Sequence, residues 1–228
     1  LASSAASDVY KRQEQLQLGF LKVLKGSYME KQKENYGLVY KDTPPYEVLY
    51  TKWLPYEDVL VLKKVEEMVE VYYNSSQFSN TLRLLEKEFD TAFALYDTLA
   101  RFYEEKGYDK VSHSRIARFE ILYEFIQTIT AEENLVLYKE LLTYDLYLRE
   151  NVKSRPTFAR DLSDFKDFVR EFFQREEKTP EHLSGYEGYD SRQMAKMAHL
   201  EPLRDGTYLL FDYKKRDPLS YNARTVRV

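Results

Sequence analysis

His199 and Glu201 stand two residues apart in "AHLEPL", and a strand there would point both side chains to one face. An imidazole beside a carboxylate is the beginning of a metal site or of an acid–base pair. A zinc-type site needs a third ligand, and the other histidines, His113 and His182, lie far off in the sequence. The pair therefore reads as structural or solvated. Carboxylates are plentiful on helical stretches, among them Asp97, Glu104, Glu105, Glu120, Glu124, Glu132 and Glu133. No Glu-x-x-His spacing of the helical di-metal kind occurs, so these read as solvated helix faces. No P-loop, GxGxxG or GxSxG is present, which leaves phosphate cradling and esterase-type nucleophiles without support. "YKKRDP" (213–218), with Tyr208, Phe211 and Tyr221 nearby, sets positive charge beside rings, the chemistry of RNA contact by phosphate attraction and stacking. Against it stands a formal net charge of −4 and the reading of "KRDP" as a turn.

The composition narrows the field further. The 228 residues contain no Cys, which excludes disulfides, thiolate zinc sites, cysteine nucleophiles and iron–sulfur ligation by this chain. With 21 Tyr and 13 Phe but one Trp, the core must be filled largely by rings, and each Tyr hydroxyl needs a polar exit. Seven Gly and seven Pro are too few for a sandwich or barrel of many tight turns, and favour long helices. No apolar run approaches the roughly 20 residues of a membrane span, and the opening residues lack the apolar centre of a secretion signal. A cytoplasmic domain with no membrane partner is the expectation.

The elements that must position these residues follow from pattern. "LQLGFLKVL" (16–24) is a short apolar run that reads as a buried strand. "SYMEKQKENYG" reads as a short polar helix closed by Gly37, and "LVYKDTPPYEVLYTKW" as two extended pieces around Pro-Pro. Pro55 suits a first helical position, after which Val59, Leu62, Val65, Val69 and Tyr72 repeat at helical spacing. Further helices are predicted over 78–89, over 90–107 from an Asp90 cap to Gly107, and along the stripe Ile116, Phe119, Leu122 or Tyr123, Ile126, Ile129. Thr130 and Glu133 match a capping box that would start the next, stopped by "SRP" at 154–156. Leu162, Phe165, Phe168 or Val169, and Phe172 mark a last amphipathic helix. "MAKMAHLEPL", "TYLLFDY" and "ARTVRV" read as three strands, with Asp205-Gly206 turning between the first two. The fold class is thus mainly α: a helical domain with a C-terminal antiparallel sheet of about three strands and a lone N-terminal strand. A lone strand leaves its backbone unsatisfied, so it must join the terminal sheet or pair with residues upstream.

The opening residues are of another kind. Residues 3–13, "SSAASDVYKRQ", match a translated sequencing adapter: a transposon mosaic end read in one frame encodes 8–13, and the arm before it encodes 3–7. Residues 1–13 are therefore set aside as a non-native tail, and the native N-terminal portion is expected to be missing.

"LQLGFLKVLKGSYM", "YGLVYKDTPPYEVLYTKWL", "LLTYDLYLRENVKSRPTFA" and "YLLFDYKKRDPLSYNA" together resemble one family. Its members are bacterial proteins with an N-terminal cobalamin-binding domain, a central radical S-adenosylmethionine barrel and a C-terminal domain of unknown function. The resemblance covers essentially all of 14–228. It implies that 14–54 is the end of the barrel with its connector, and that 55–228 is the C-terminal domain. It implies a parent enzyme of radical or methyl-transfer chemistry using a four-iron four-sulfur cluster, S-adenosylmethionine and cobalamin, all held upstream in cis. The CxxxCxxC loop that holds such a cluster is absent here, so no catalytic residue is carried over, and the chain alone is expected to be inert and to bind none of these cofactors. The residual barrel strand would place Gln17, Lys22 and Lys25 near cofactor or substrate, with Lys25 just past the strand's C-terminal end; a surface or junction role for them is the simpler reading. The expected role is an accessory, substrate-shaping one. The alternative is a free-standing helical interaction module, with RNA as a partner.

Overall fold

The structure, a computed structural model, describes residues 15–228. The adapter-like stretch lies outside them. The chain folds into two compact units: residues up to Ser76 together with Phe89–Val111 form unit 1, and Gln77–Glu88 together with Ser112–Val228 form unit 2. Residues 55–76 thus pack with the segment before them.

Unit 1 begins as an extended segment, and here the expected buried strand is not found. Residues 16–24 form a single antiparallel bridge, Lys22 with Glu47. Val23 N–H donates to the Tyr46 carbonyl and Val48 N–H to the Leu21 carbonyl, both at 2.8 Å. Only Val23 is buried, whereas Leu16, Leu21 and Leu24 remain exposed. Val23 packs with Leu38 and Val48 in a small cluster, too little contact to bury a whole strand. Helices α1 (Tyr28–Lys31) and α2 (Lys33–Tyr36) follow, and Gly37 at φ 57° closes α2 as its spacing predicts. The two extended pieces around Pro-Pro are β1 (Val39–Tyr40) and β2 (Val48–Tyr50), antiparallel to each other. Helix α3 (Tyr56–Met68) starts one residue later than expected, with Pro55 at its N-cap, and widens into a π turn over Val69–Asn74. The fully buried Tyr72 of that turn shares a 2.6 Å hydroxyl–hydroxyl hydrogen bond with Tyr103 of α5 (Ala92–Lys106). Thr91, not Asp90, caps α5, its hydroxyl accepting from Ala94 N–H.

Unit 2 opens with α4 (Ser79–Leu85), whose N-terminus has no cap of its own. Asp145, buried in α7 (Glu132–Arg149), supplies one: its carboxylate accepts from Thr81 N–H and Oγ1 at 2.8 Å, and from Asn80 N–H and Nδ2 at 3.2 and 2.7 Å. Burial raises the Asp145 pKa above the ordinary range, and the bonds from Asn80 and Thr81 oppose that rise. Between them runs α6 (Arg115–Ile129), buried along Phe119, Ile121, Leu122, Phe125 and Ile126, a wider face than the single stripe expected. The predicted capping box fails: Thr130 terminates α6, its Oγ1 is buried without a hydrogen-bond partner, and Ala131 takes the N-cap of α7.

Helices α8 (Lys166–Lys178) and α9 (Ser191–Met197) complete the helical set. The sequence "MAKM", expected to open a strand, is helical instead. Asp190 and Gln193 form a reciprocal capping box at 2.7 and 3.0 Å that commits 191–197 to α9. The sheet then runs β3 (Ala198–Pro202), β4 (Tyr208–Arg216) and β5 (Ala223–Arg227), antiparallel in that order, with Asp205-Gly206 at the first turn. The lone N-terminal segment does not join it. The mainly helical fold with a C-terminal three-stranded antiparallel sheet is what the sequence predicts.

The sheet has two distinct faces. Ala198, Leu200 and Leu210 pack with Phe172, Phe173, Leu183, Tyr186 and Met194, sealing one face against α8 and α9. Register sets His199 opposite Phe211 and Glu201 opposite Leu209, so these four share the other face, toward Tyr144 and Tyr147 of α7. Because Asp145 is the cap of α4, Asp145→Ala leaves the buried Thr81 donors and the half-buried Asn80 donors unpaired and is expected to destabilise unit 2 by about 3 kcal/mol. Urea unfolding followed by circular dichroism measures this, and an unchanged midpoint contradicts it.

Candidate functional site

The His199–Glu201 pair anticipated from alternation exists, but it serves a larger network. His199 Nε2 lies 2.8 Å from Glu201 Oε2. Arg155 closes on the same carboxylate from the segment after α7, with Nη1 donating to Oε2 at 2.9 Å and Nη2 to Oε1 at 2.5 Å. Arg155 Nη1 also donates to the Tyr147 hydroxyl at 3.3 Å. The Tyr147 ring stacks on the His199 imidazole with centroids 3.6 Å apart and planes within 4°. Tyr213 of β4 donates its hydroxyl to the Tyr147 carbonyl at 2.6 Å, fixing that turn of α7 to the sheet.

The electrostatics follow from this packing. Burial lowers the His199 pKa below its ordinary value near 6.5, against the pull of Glu201. Above that pH the ring is neutral, and since an ionised carboxylate only accepts, Nε2 carries the proton. Burial works to raise the Glu201 pKa, yet hydrogen bonds from His199 and Arg155 outweigh it and hold the carboxyl below the usual range. Burial likewise opposes the Arg155 charge, and Glu201 overrides it. Both oxygens of Glu201 are therefore committed to protein donors. The network orients groups and holds shape, and it commits the His199 Nε2 proton to Glu201.

Beside the network opens a cavity of about 400 Å³. Its walls come from α7 (Val136 to Tyr144), from residues 157–160, and from the β3–β4 face with Glu201, Leu209 and Phe211. Arg155 fixes the second wall, because its Nε donates to the Arg160 carbonyl while its fork holds Glu201. Thr157 is tied separately, its N–H and hydroxyl donating to Glu120. Lys139, Arg160 and Arg204 also line the cavity.

The other sequence candidates lie elsewhere. Gln17, Lys22 and Lys25 are exposed residues of unit 1, and Lys25 Nζ sits 5.8 Å from the Tyr46 ring centroid. None of the three lines this cavity. His182 Nδ1 meets Glu176 at 2.9 Å, where the same carboxylate accepts N–H groups of Glu181, His182 and Leu183 in a loop-holding role. Among the described residues no group of three His, Asp or Glu could hold a metal ion, and no helix is long and apolar enough to cross a membrane. The basic run is engaged internally: Lys214 Nζ lies over the Tyr186 and Tyr189 rings, Lys215 bonds Ser184, and Arg216 bonds the Arg149 and Tyr221 carbonyls. Sequence reasoning missed Arg155, read only within the helix-stopping "SRP", and it missed Tyr147 and the three lining cations, which no local spacing links.

A family model described as a protein of unknown function, DUF4080, matches residues 34–217. The chain belongs to this family. The matched span contains every residue of the Arg155 network and of the cavity wall. No curated protein and no solved structure matches the chain.

Two outcomes test the network. Glu201→Gln leaves a largely buried guanidinium without its counter-charge and is expected to cost about 3 kcal/mol in urea unfolding; a change within error of zero refutes the pairing. His199 and Glu201 both have lowered pKa values in the fold, so each contributes stability above its ordinary pKa and loses it as pH falls through the folded one. Melting temperature is expected to drop below pH 6.5 and again below pH 4.5. His199→Gln, which keeps a donor but does not titrate, flattens the first step; identical profiles contradict the assignment.

Proposed function

We propose that this chain is the substrate-shaping region of a cobalamin-dependent radical S-adenosylmethionine enzyme. It works with a barrel and a cobalamin domain that carry the four-iron four-sulfur cluster, S-adenosylmethionine and cobalamin. The resemblance of 14–228 to that family motivates the reading, and the preformed cavity of unit 2 is the observation that supports it. A cluster held by three cysteines needs ligands this chain lacks entirely. What unit 2 offers instead is a hollow with apolar walls and convergent charged groups, beside a network whose polar atoms bond to one another. Such a site binds and orients, and binding energy gathered away from the reacting centre serves to position a substrate for chemistry done elsewhere. The radical chemistry of the parent requires a reducing compartment, so the cytoplasm is the proposed location.

Reading the genomic locus tests this directly. The expected result is an open reading frame continuous through the codon of Glu14 that carries CxxxCxxC upstream. A start codon adjacent to Glu14, with no such motif before it, overturns the proposal in favour of a free-standing helical module.

A further inference from the structure

The rim of the unit 2 cavity carries an excess of positive charge. Lys139, Arg160 and Arg204 line it, and among the described residues no carboxylate lies within ion-pair distance of any of them. Lys139 Nζ instead lies over the Tyr123 ring at 5.6 Å, and the Arg160 guanidinium over Phe165 at 4.5 Å. Two acidic residues share the wall, Glu140 and Glu201, but Arg155 already cancels Glu201. Three cations against the remaining Glu140 leave an excess of two positive charges around one hollow. Lys139 is half-buried and Arg160 and Arg204 are exposed, and a net positive charge around one hollow attracts an anion.

Beneath the rim the surface is apolar and ringed. Tyr144, Phe158, Leu209 and Phe211 line the interior, and the roughly 400 Å³ volume is of the size that holds a small organic molecule. Tyr144 and Phe211 are already in tilted ring contact at 5.8 Å, and Phe158 is packed with Tyr123 at 5.7 Å, so these rings are held before any ligand arrives. A bare inorganic ion would use the rim and leave the interior empty. A neutral apolar molecule would fill the interior and leave the cations unpaired.

We infer that this cavity binds an organic anion, with a carboxylate or phosphate group held at the rim by Lys139, Arg160 and Arg204, and a ring-sized apolar body seated against Tyr144, Phe158 and Phe211. Two guanidinium groups suit an oxyanion, because each presents a planar fork of donors to paired oxygens. Glu201 contributes by position: paired with Arg155, it keeps the 155–160 wall in place without adding negative charge to the site. This inference deepens the proposed function by naming the class of substrate that unit 2 would hold, although binding itself requires only residues of this unit.

Isothermal titration of the full chain with 2-naphthoate, 1-naphthyl phosphate and 2-naphthylmethylammonium tests it. The expected result is micromolar binding of at least one anion, weakened by added salt, with no heat from the cation of the same ring size. Tighter binding of naphthoate identifies a carboxylate headgroup, and tighter binding of naphthyl phosphate a phosphate one. Arg160→Glu with Arg204→Glu, both exposed side chains, is expected to weaken the anion by about tenfold or more while the melting curve is kept. Phe211→Leu, which removes ring surface but keeps the rim, is expected to weaken both anions equally. Binding of the cation as tightly as the anions, no anion binding at millimolar concentration, or affinity unchanged in the double variant overturns the inference. Such a failure leaves the locus result untouched, so the two proposals stand or fall separately.

Discussion

Unit 2 depends on a guanidinium fork buried against a strand carboxylate. Arg155 has both terminal nitrogens on Glu201, one of them shared with Tyr147, and its Nε on the Arg160 carbonyl. Removing two charges from water costs several kcal/mol per ion, and the attraction offsets it only when geometry is good and the remaining donors are satisfied. Here the geometry is bidentate, Nε and Nη1 have further acceptors in the Arg160 carbonyl and the Tyr147 hydroxyl, and His199 also bonds Glu201. The pair is of little consequence as a source of net stability. Its consequence is spatial, because it ties a segment without regular structure to the middle of a sheet and so creates a wall.

Three of the four buried carboxylates described in unit 2 show how different the same group can be. Asp145 gathers four donors at the start of α4 and does the work of a missing helix cap. Glu176 gathers three consecutive N–H groups and His182, and holds the loop after α8. Glu201 bonds to no backbone N–H; its partners are a guanidinium and an imidazole, and it lines a cavity. The first two close structure and leave no surface behind. The third closes structure and shapes a surface at once, which is why the site is placed there. The sheet divides labour in the same way, one face packed dry against α8 and α9 and the other given to rings and charges.

Much of this was legible in the residues. Helical periodicity from Tyr56 onward, the Gly37 and Gly107 stops, and the three terminal strands follow from local pattern because each is decided by neighbours three or four residues away. His199 and Glu201 share a face because strand alternation is strict. The failures are equally physical. Residues 16–24 are apolar enough for a core strand, but only one bridge and one buried side chain, Val23, are available to them. "MAKM" could extend, yet the capping box of Asp190 and Gln193 just before it decides for helix. Thr130 and Glu133 fit a capping box by spacing alone, but the Thr130 hydroxyl is buried and Ala131 takes the cap of α7. The site's cations lie at 139, 160 and 204, and Arg155 reaches a partner 46 positions away. No window of sequence contains such a relation.

The claim that the Arg155–Glu201 pair holds the cavity wall is tested most directly by amide hydrogen exchange in the Arg155→Met chain. Exchange at Ala159, whose N–H is bonded to the Pro156 carbonyl in the intact fold, should accelerate strongly while α7, the three strands and the Glu120-bonded Thr157 N–H keep their protection. Unchanged exchange at Ala159, with the guanidinium gone, would show that the wall stands without the fork and would contradict the account.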